Sequence, residues 1–175
     1  MPRKGKLARG VAIVGGGLTK LGLFKDRNGK AFFAEAFVEM VESVDKGLDP
    51  KEIEATYVGN YSNNFFVNQS HWGPIIADLL GQVPKPVTRT EGACASSALA
   101  FREGVLAIAS GLYDIVLVGG FEQIQMDDGR KWQKASPWLR VPMKWQQDSL
   151  FLGSLGRWPP PILPSTALTG KLCLT

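Results

Sequence analysis

The chain has 175 residues, 45% of them apolar and 21% charged, which suits one folded core and excludes a disordered chain. The net charge of +4 resides in the last stretch: residues 1–126 carry 13 basic and 13 acidic residues and residues 127–175 carry 7 and 3, so nucleic-acid binding finds little support. No apolar run reaches the ~20 residues of a membrane span, the run after the basic start is too short for a secretory signal, and two distant cysteines with one histidine offer neither a disulfide framework nor a metal-ligand spacing.

Val11 to Val14 is a short apolar run closed by Gly15, Gly16 and Gly17, which predicts a buried strand and a tight turn. The glycines lack the third member of a dinucleotide-binding loop at the required spacing. From Phe32 to Lys46 the apolar residues Phe33, Ala36, Phe37, Met40, Val41 and Val44 recur at helical spacing, with Gly47 as the expected C-cap. Asp49 and Pro50 have the character of an N-cap and first helical position of a short turn. Ala55 to Tyr61 predicts a second strand. Ser70 to Leu80 predicts a helix ended by Gly81, with His71 as a surface residue at its start.

Pro86 to Thr90 predicts a third strand, and Cys94 or Ala95 to Ser110 a third helix, rich in small residues and stopped by Gly111. Asp114 to Val118 is apolar at nearly every position, as a central strand is. Repeated strand–helix alternation implies an α/β layered domain with a largely parallel sheet. Residues 127–175 differ in kind. They hold four of the five tryptophans and six of the eleven prolines and show no apolar periodicity, so the expected division is a domain at 1–126 and an irregular tail at 127–175.

Cys94 is the candidate for chemistry. It lies in Glu91-Gly92-Ala93-Cys94-Ala95-Ser96-Ser97, where a strand turns into a helix. A helix start presents free N–H groups and the positive end of the macrodipole, and both favour the thiolate, the nucleophilic form. The same N–H groups can hold an oxyanion developing on a thioester carbonyl. The competing reading is an inert, buried small side chain.

The segment from Glu91 through Asp114-Ile115-Val116-Leu117-Val118-Gly119-Gly120-Phe121-Glu122-Gln123 resembles the active-site region of thiolases, most closely the sterol-carrier-protein-X type. The stretches Val11–Lys20 and Ser70–Gly81 resemble the same group, so the resemblance covers about residues 10–125. It implies a layered α-β-α half with a mostly parallel mixed sheet. It further implies that Cys94 takes an acyl group from acyl-CoA, with its own N–H in the oxyanion hole. Claisen condensation or thiolytic cleavage would follow. No bound cofactor and no metal are implied; coenzyme A thioester is the substrate, and a cytoplasmic homodimer or higher homo-oligomer is the expected assembly.

In the family a second, similar half supplies a histidine and another cysteine, and nothing after Gln125 resembles it. Read one base out of frame with synonymous codons, residues 141–167 can spell a stretch like the one that follows the first half in these thiolases. A frame-shifted tail is therefore expected, against the alternative of a genuine divergent one; Cys173 is then no catalytic residue, and the chain alone should lack turnover. Two other functions fit the same residues: a ketoacyl-synthase relative, and a non-catalytic acyl-CoA-binding or assembly subunit.

Overall fold

The computed structural model describes residues 9–22, 24 and 26–124, together with the backbone of 171–174. The predicted division at 126 and the composition of the tail up to 170 lie outside the described residues.

Strand β1 (Ala12–Gly16) runs through two of the three glycines rather than turning at them. The reason is packing. A Cβ at Gly17 would stand 2.1 Å from the Ala36 carbonyl oxygen and 2.7 Å from the Met40 nitrogen, so the absent side chains let helix α1 (Gly29–Glu42) lie close against the strand. Helix α1 starts three residues before its predicted beginning at Phe32, because Asn28 caps it by accepting the Ala31 N–H at 3.0 Å. It ends at Glu42 rather than Lys46. There the Ser43 hydroxyl donates to the Met40 carbonyl at 2.7 Å, and Gly47 lies in the turn beyond. The predicted Asp49 cap is present as a full capping box around a single 3-10 turn, Pro50–Glu52.

Strand β2 (Ala55–Gly59) leads into α2 (Asn63–Phe66), a single turn absent from the sequence expectation, and then α3 (Trp72–Leu79). Strand β3 (Val87–Thr90), a 3-10 turn at Ala93–Ala95, helix α4 (Ser96–Ala109) and strand β4 (Ile115–Gly120) complete the alternation. Gly111, at φ +81°, stops α4 in the left-handed region that glycine enters without penalty.

The sheet has the order β1-β5-β4-β2-β3. Strands β3, β2 and β4 are mutually parallel, whereas β5 (Lys171–Leu174) runs antiparallel to both β1 and β4. The sheet is therefore mixed, with a parallel core. No apolar periodicity had marked β5 in the tail; the open slot between β1 and β4 selects it.

Alternation along the strands splits the core into two. Val58 and Leu117 face Phe32, Phe33, Met40, Trp72 and Ile76 from α1 and α3. Ala55, Val116 and Val118 face Ala100 and Ile108 of α4. The result is the expected three-layer α/β arrangement. Among the described residues, no helix is long and apolar enough to cross a membrane.

Candidate active site

In parallel sheets, ligands meet the loops beyond the C-terminal ends of the strands, where the helices that follow present their N-termini. Here the ends of β2, β3 and β4 converge on the start of α4. Gly59 and Gly120 make the approach possible. A Cβ at Gly59 would lie 2.5 Å from both Cα and N of Ser97, and one at Gly120 would lie 2.1 Å from Ser97 Oγ. The first turn of α4 thus rests directly on the sheet, and the residues just before it stand at the sheet's rim.

Those residues are Ala93, Cys94 and Ala95. The Cys94 thiol is free and exposed, so the burial that the competing reading expected is absent. The sequence placed it at the first residue of the helix or just before it; it lies in the 3-10 turn that heads α4. Neither the turn nor the helix has a side-chain cap at its N-terminus. Ala93, immediately before the thiol, has φ +50°, a left-handed conformation costly for a residue with a Cβ, about 1–2 kcal/mol. Local bonds hold it there. The Ala93 N–H donates to Glu91 Oε1 at 2.9 Å, and the Ser96 hydroxyl donates to the Ala93 carbonyl at 2.7 Å while accepting the Gly92 N–H at 3.0 Å. Thr90 Oγ1 donates to the Ser96 carbonyl at 3.0 Å, which ties the strand end to the helix start.

The neighbouring wall comes from the loop after β2. The Asn60 N–H donates to the Thr90 carbonyl at 3.1 Å, which lays Asn60 and Tyr61 beside the segment that carries Cys94. Glu122, just past β4, accepts the N–H groups of Tyr61 and Ser62, each at 2.8 Å, and the Ser62 hydroxyl at 3.1 Å. Arg89 of β3 donates to the carbonyls of Asn60 and Tyr61, at 3.0 and 2.9 Å. Sequence reasoning did not single out Tyr61, Arg89 or Glu122. The available signals were a charge within the otherwise neutral β3 and another two residues beyond the neutral β4.

Burial raises the pKa of the Tyr61 phenol above its ordinary value of 10.0, and the charges of Glu91, Cys94 and Glu122 add to the effect. Tyr57, on the α4 side of the sheet, is raised by burial first and then by Tyr113 and Glu103. In both cases the unfolded chain ionises first, so above pH 10 it holds fewer protons than the fold. Stability is thus fully present below that range and is lost as pH rises through it. Denaturant midpoints taken at rising alkaline pH should fall, and Tyr57→Phe should flatten the fall; an unchanged slope in that variant would refute the assignment.

His71 is exposed immediately before α3, as expected of a surface residue at a helix start. No group of three or more His, Cys, Asp or Glu among the described residues could hold a metal ion. A shallow groove of about 600 Å³ lies between the start of α1 and the α2–α3 loop, lined in part by Arg27, Lys30, Trp72 and Gln123. Cys94, which is exposed, is not among the residues that line it.

The chain has relatives among known proteins. Residues 11–155 match the family described as thiolase, N-terminal domain. An acetyl-CoA acetyltransferase of Methanocaldococcus jannaschii is 47% identical over 116 residues, which cover 66% of this chain and 29% of that protein. The chain thus spans about three tenths of this relative's length. Among solved structures, the Acat5 thiolase of Ascaris suum in complex with coenzyme A superposes with a TM-score of 0.57 at 21% identity, over 66% of this chain and 30% of that one. The 3-oxoacyl-[acyl-carrier-protein] synthase III of Aquifex aeolicus gives 0.61 at 15% identity, over 95% and 54%. At such identities the structures speak for the fold alone.

Proposed function

The chain belongs to the thiolase family through its N-terminal domain, and from that premise we propose that Cys94 is the nucleophile of an acyl-CoA acyltransferase. The observation that carries this reading is the exposed thiol in the turn heading α4, at the rim where three parallel strands end. The Cys94 sulfur, as thiolate, attacks the carbonyl carbon of an acyl-CoA thioester. The bond from that carbon to the coenzyme A sulfur breaks, coenzyme A leaves as a thiolate that takes up a proton, and the acyl group stays on Cys94 as a new thioester. The backbone N–H of Cys94 serves the oxyanion.

In the second half of the reaction, the α-carbon of another acyl-CoA attacks the Cys94 thioester and releases the free thiol; cleavage is the reverse. Proton abstraction for that step belongs to the histidine and second cysteine of the family's other half. Acyl capture draws only on the half that holds Cys94, and it is the step proposed for the described residues. The same reading carries the expected cytoplasmic homo-oligomer. The domain at 1–126 and the tail at 127–175 belong to the same proposal, although the family match runs on to residue 155 and residues 171–174 pair into the sheet; sequencing the coding DNA across codons 125–175 tests it.

A ketoacyl synthase shares the fold, as the Aquifex aeolicus structure indicates. The 47% identity lies with an acetyltransferase and favours the thiolase reading. Incubation with acetyl-CoA followed by peptide mass analysis distinguishes both from a non-catalytic binding subunit. A hydroxylamine-labile acetyl group on the peptide holding Cys94 is the expected result. Binding of coenzyme A with no covalent acetyl group would overturn the proposal.

A further inference from the structure

Arg89 and Glu122 flank the loop after β2, and acyl capture as written uses neither. Four of their hydrogen bonds nonetheless go to the same two peptide groups. In the peptide joining Asn60 to Tyr61, Arg89 Nε donates to the carbonyl at 3.0 Å and Glu122 Oε2 accepts the N–H at 2.8 Å. In the next, joining Tyr61 to Ser62, Arg89 Nη2 donates to the carbonyl at 2.9 Å and Glu122 Oε1 accepts the N–H at 2.8 Å. Each peptide dipole lies with its negative pole on the guanidinium and its positive pole on the carboxylate.

Hydrogen bonds to charged groups are the strong ones, and the forked guanidinium adds direction to them. Two successive peptide planes held at both poles leave the residue between them, Tyr61, little freedom in φ and ψ. Both anchors are themselves placed by the sheet. Arg89 lies on β3, and Glu122 follows Phe121, whose carbonyl accepts Asn60 Nδ2 at 2.8 Å. The clamp thus refers the loop to the same strand ends that carry α4 and Cys94.

We infer that Arg89 and Glu122 are positioning residues that jointly set the Tyr61 backbone, and with it the wall that Tyr61 forms beside the Cys94 thiol for an incoming acyl-CoA. The inference rests on the acyl-capture reading above. A small alkylating reagent needs only the thiol, whereas a thioester must be presented at the right angle, so the two reactions respond differently to a displaced wall.

The test uses the full chain and three variants, Glu122→Gln, Arg89→Met and Arg89→Lys. Acetyl transfer from acetyl-CoA to Cys94, alkylation of Cys94 by iodoacetamide, and amide hydrogen exchange at Tyr61 and Ser62 are measured side by side. Glu122→Gln and Arg89→Met are expected to speed exchange at both amides. They should slow acetyl transfer about 10–100-fold, with alkylation within about threefold of the parent chain. Arg89→Lys keeps the charge but not the fork and should recover part of the loss. Acetyl transfer at the parental rate despite faster exchange would reduce the clamp to a folding role and overturn the inference, as would equal losses in both thiol reactions. If Glu122→Gln or Arg89→Met does not fold, Arg89→Lys decides: parental acetyl transfer in that variant is the refuting result. Failure of the parent chain itself to accept acetyl, with normal alkylation, would remove the acyl-capture reading instead and this inference with it.

Discussion

Cys94→Ser should abolish covalent capture of acetyl from acetyl-CoA, leaving a rate lower on the order of 10²-fold or more. A hydroxyl occupies nearly the same space but does not ionise at neutral pH, so the nucleophile is lost while its surroundings stay. Because the side chain is exposed and outside both core clusters, the fold should be unaffected. The same reasoning predicts selectivity between the two thiols. Cys94 is exposed in the turn that heads α4. Iodoacetamide at neutral pH should modify Cys94 at least about tenfold faster than Cys173. Peptide mass analysis of a short time course checks this, and equal labelling of the folded chain would count against a privileged Cys94.

Gly59→Val is expected to destabilise the fold by about 3 kcal/mol or more, at the upper end of overpacking effects. The new Cβ would be placed 2.5 Å from Cα and N of Ser97 and 2.7 Å from the Ser96 carbonyl carbon. These are backbone atoms, so no rotamer change relieves the contact. Gly59 cannot retreat either, because β2 is held between β3 and β4, with Gly59 opposite Thr90 and Gly120. The helix start must lift from the sheet, which would also carry Cys94 away from the strand ends. Urea unfolding measures the effect. Gly16→Ala, where no described atom lies within 4 Å of the new methyl, is the control and should change stability by less than about 1 kcal/mol. A Gly59→Val midpoint equal to that of the parent chain would show that α4 does not rest on β2 as described.

Both variants lean on a feature that the sequence carried only in part. Strand β4, helix α4 and the capping box at Asp49 were legible because local chemistry dictates them: continuous apolar residues for a strand buried on both faces, small residues and a closing Gly111 for the helix, an acceptor before a proline for the cap. The candidate nucleophile was legible too, since a cysteine between a strand and a helix is a local pattern, and the flanking residues resembled a family. The glycine run at 15–17 was misread as a turn. A glycine signals freedom or closeness equally well, and only the approach of α1 showed that closeness was the reason.

What sequence periodicity could not carry is whatever depends on partners far apart in the chain. Strand β5 joins the sheet 51 residues after β4 ends, as the difference between Lys171 and Gly120, with no alternation of its own to announce it. The Arg89–Glu122 clamp joins residues 33 apart around a third segment, and each looks on paper like an ordinary surface charge. Local propensity and hydrophobic pattern therefore determined which residues become strands and helices and which thiol heads a helix. Tertiary structure alone decided the order of the strands, how closely α4 approaches them, and which charged groups hold the loop beside Cys94, because those outcomes are set by contacts that exist only once the sheet has assembled.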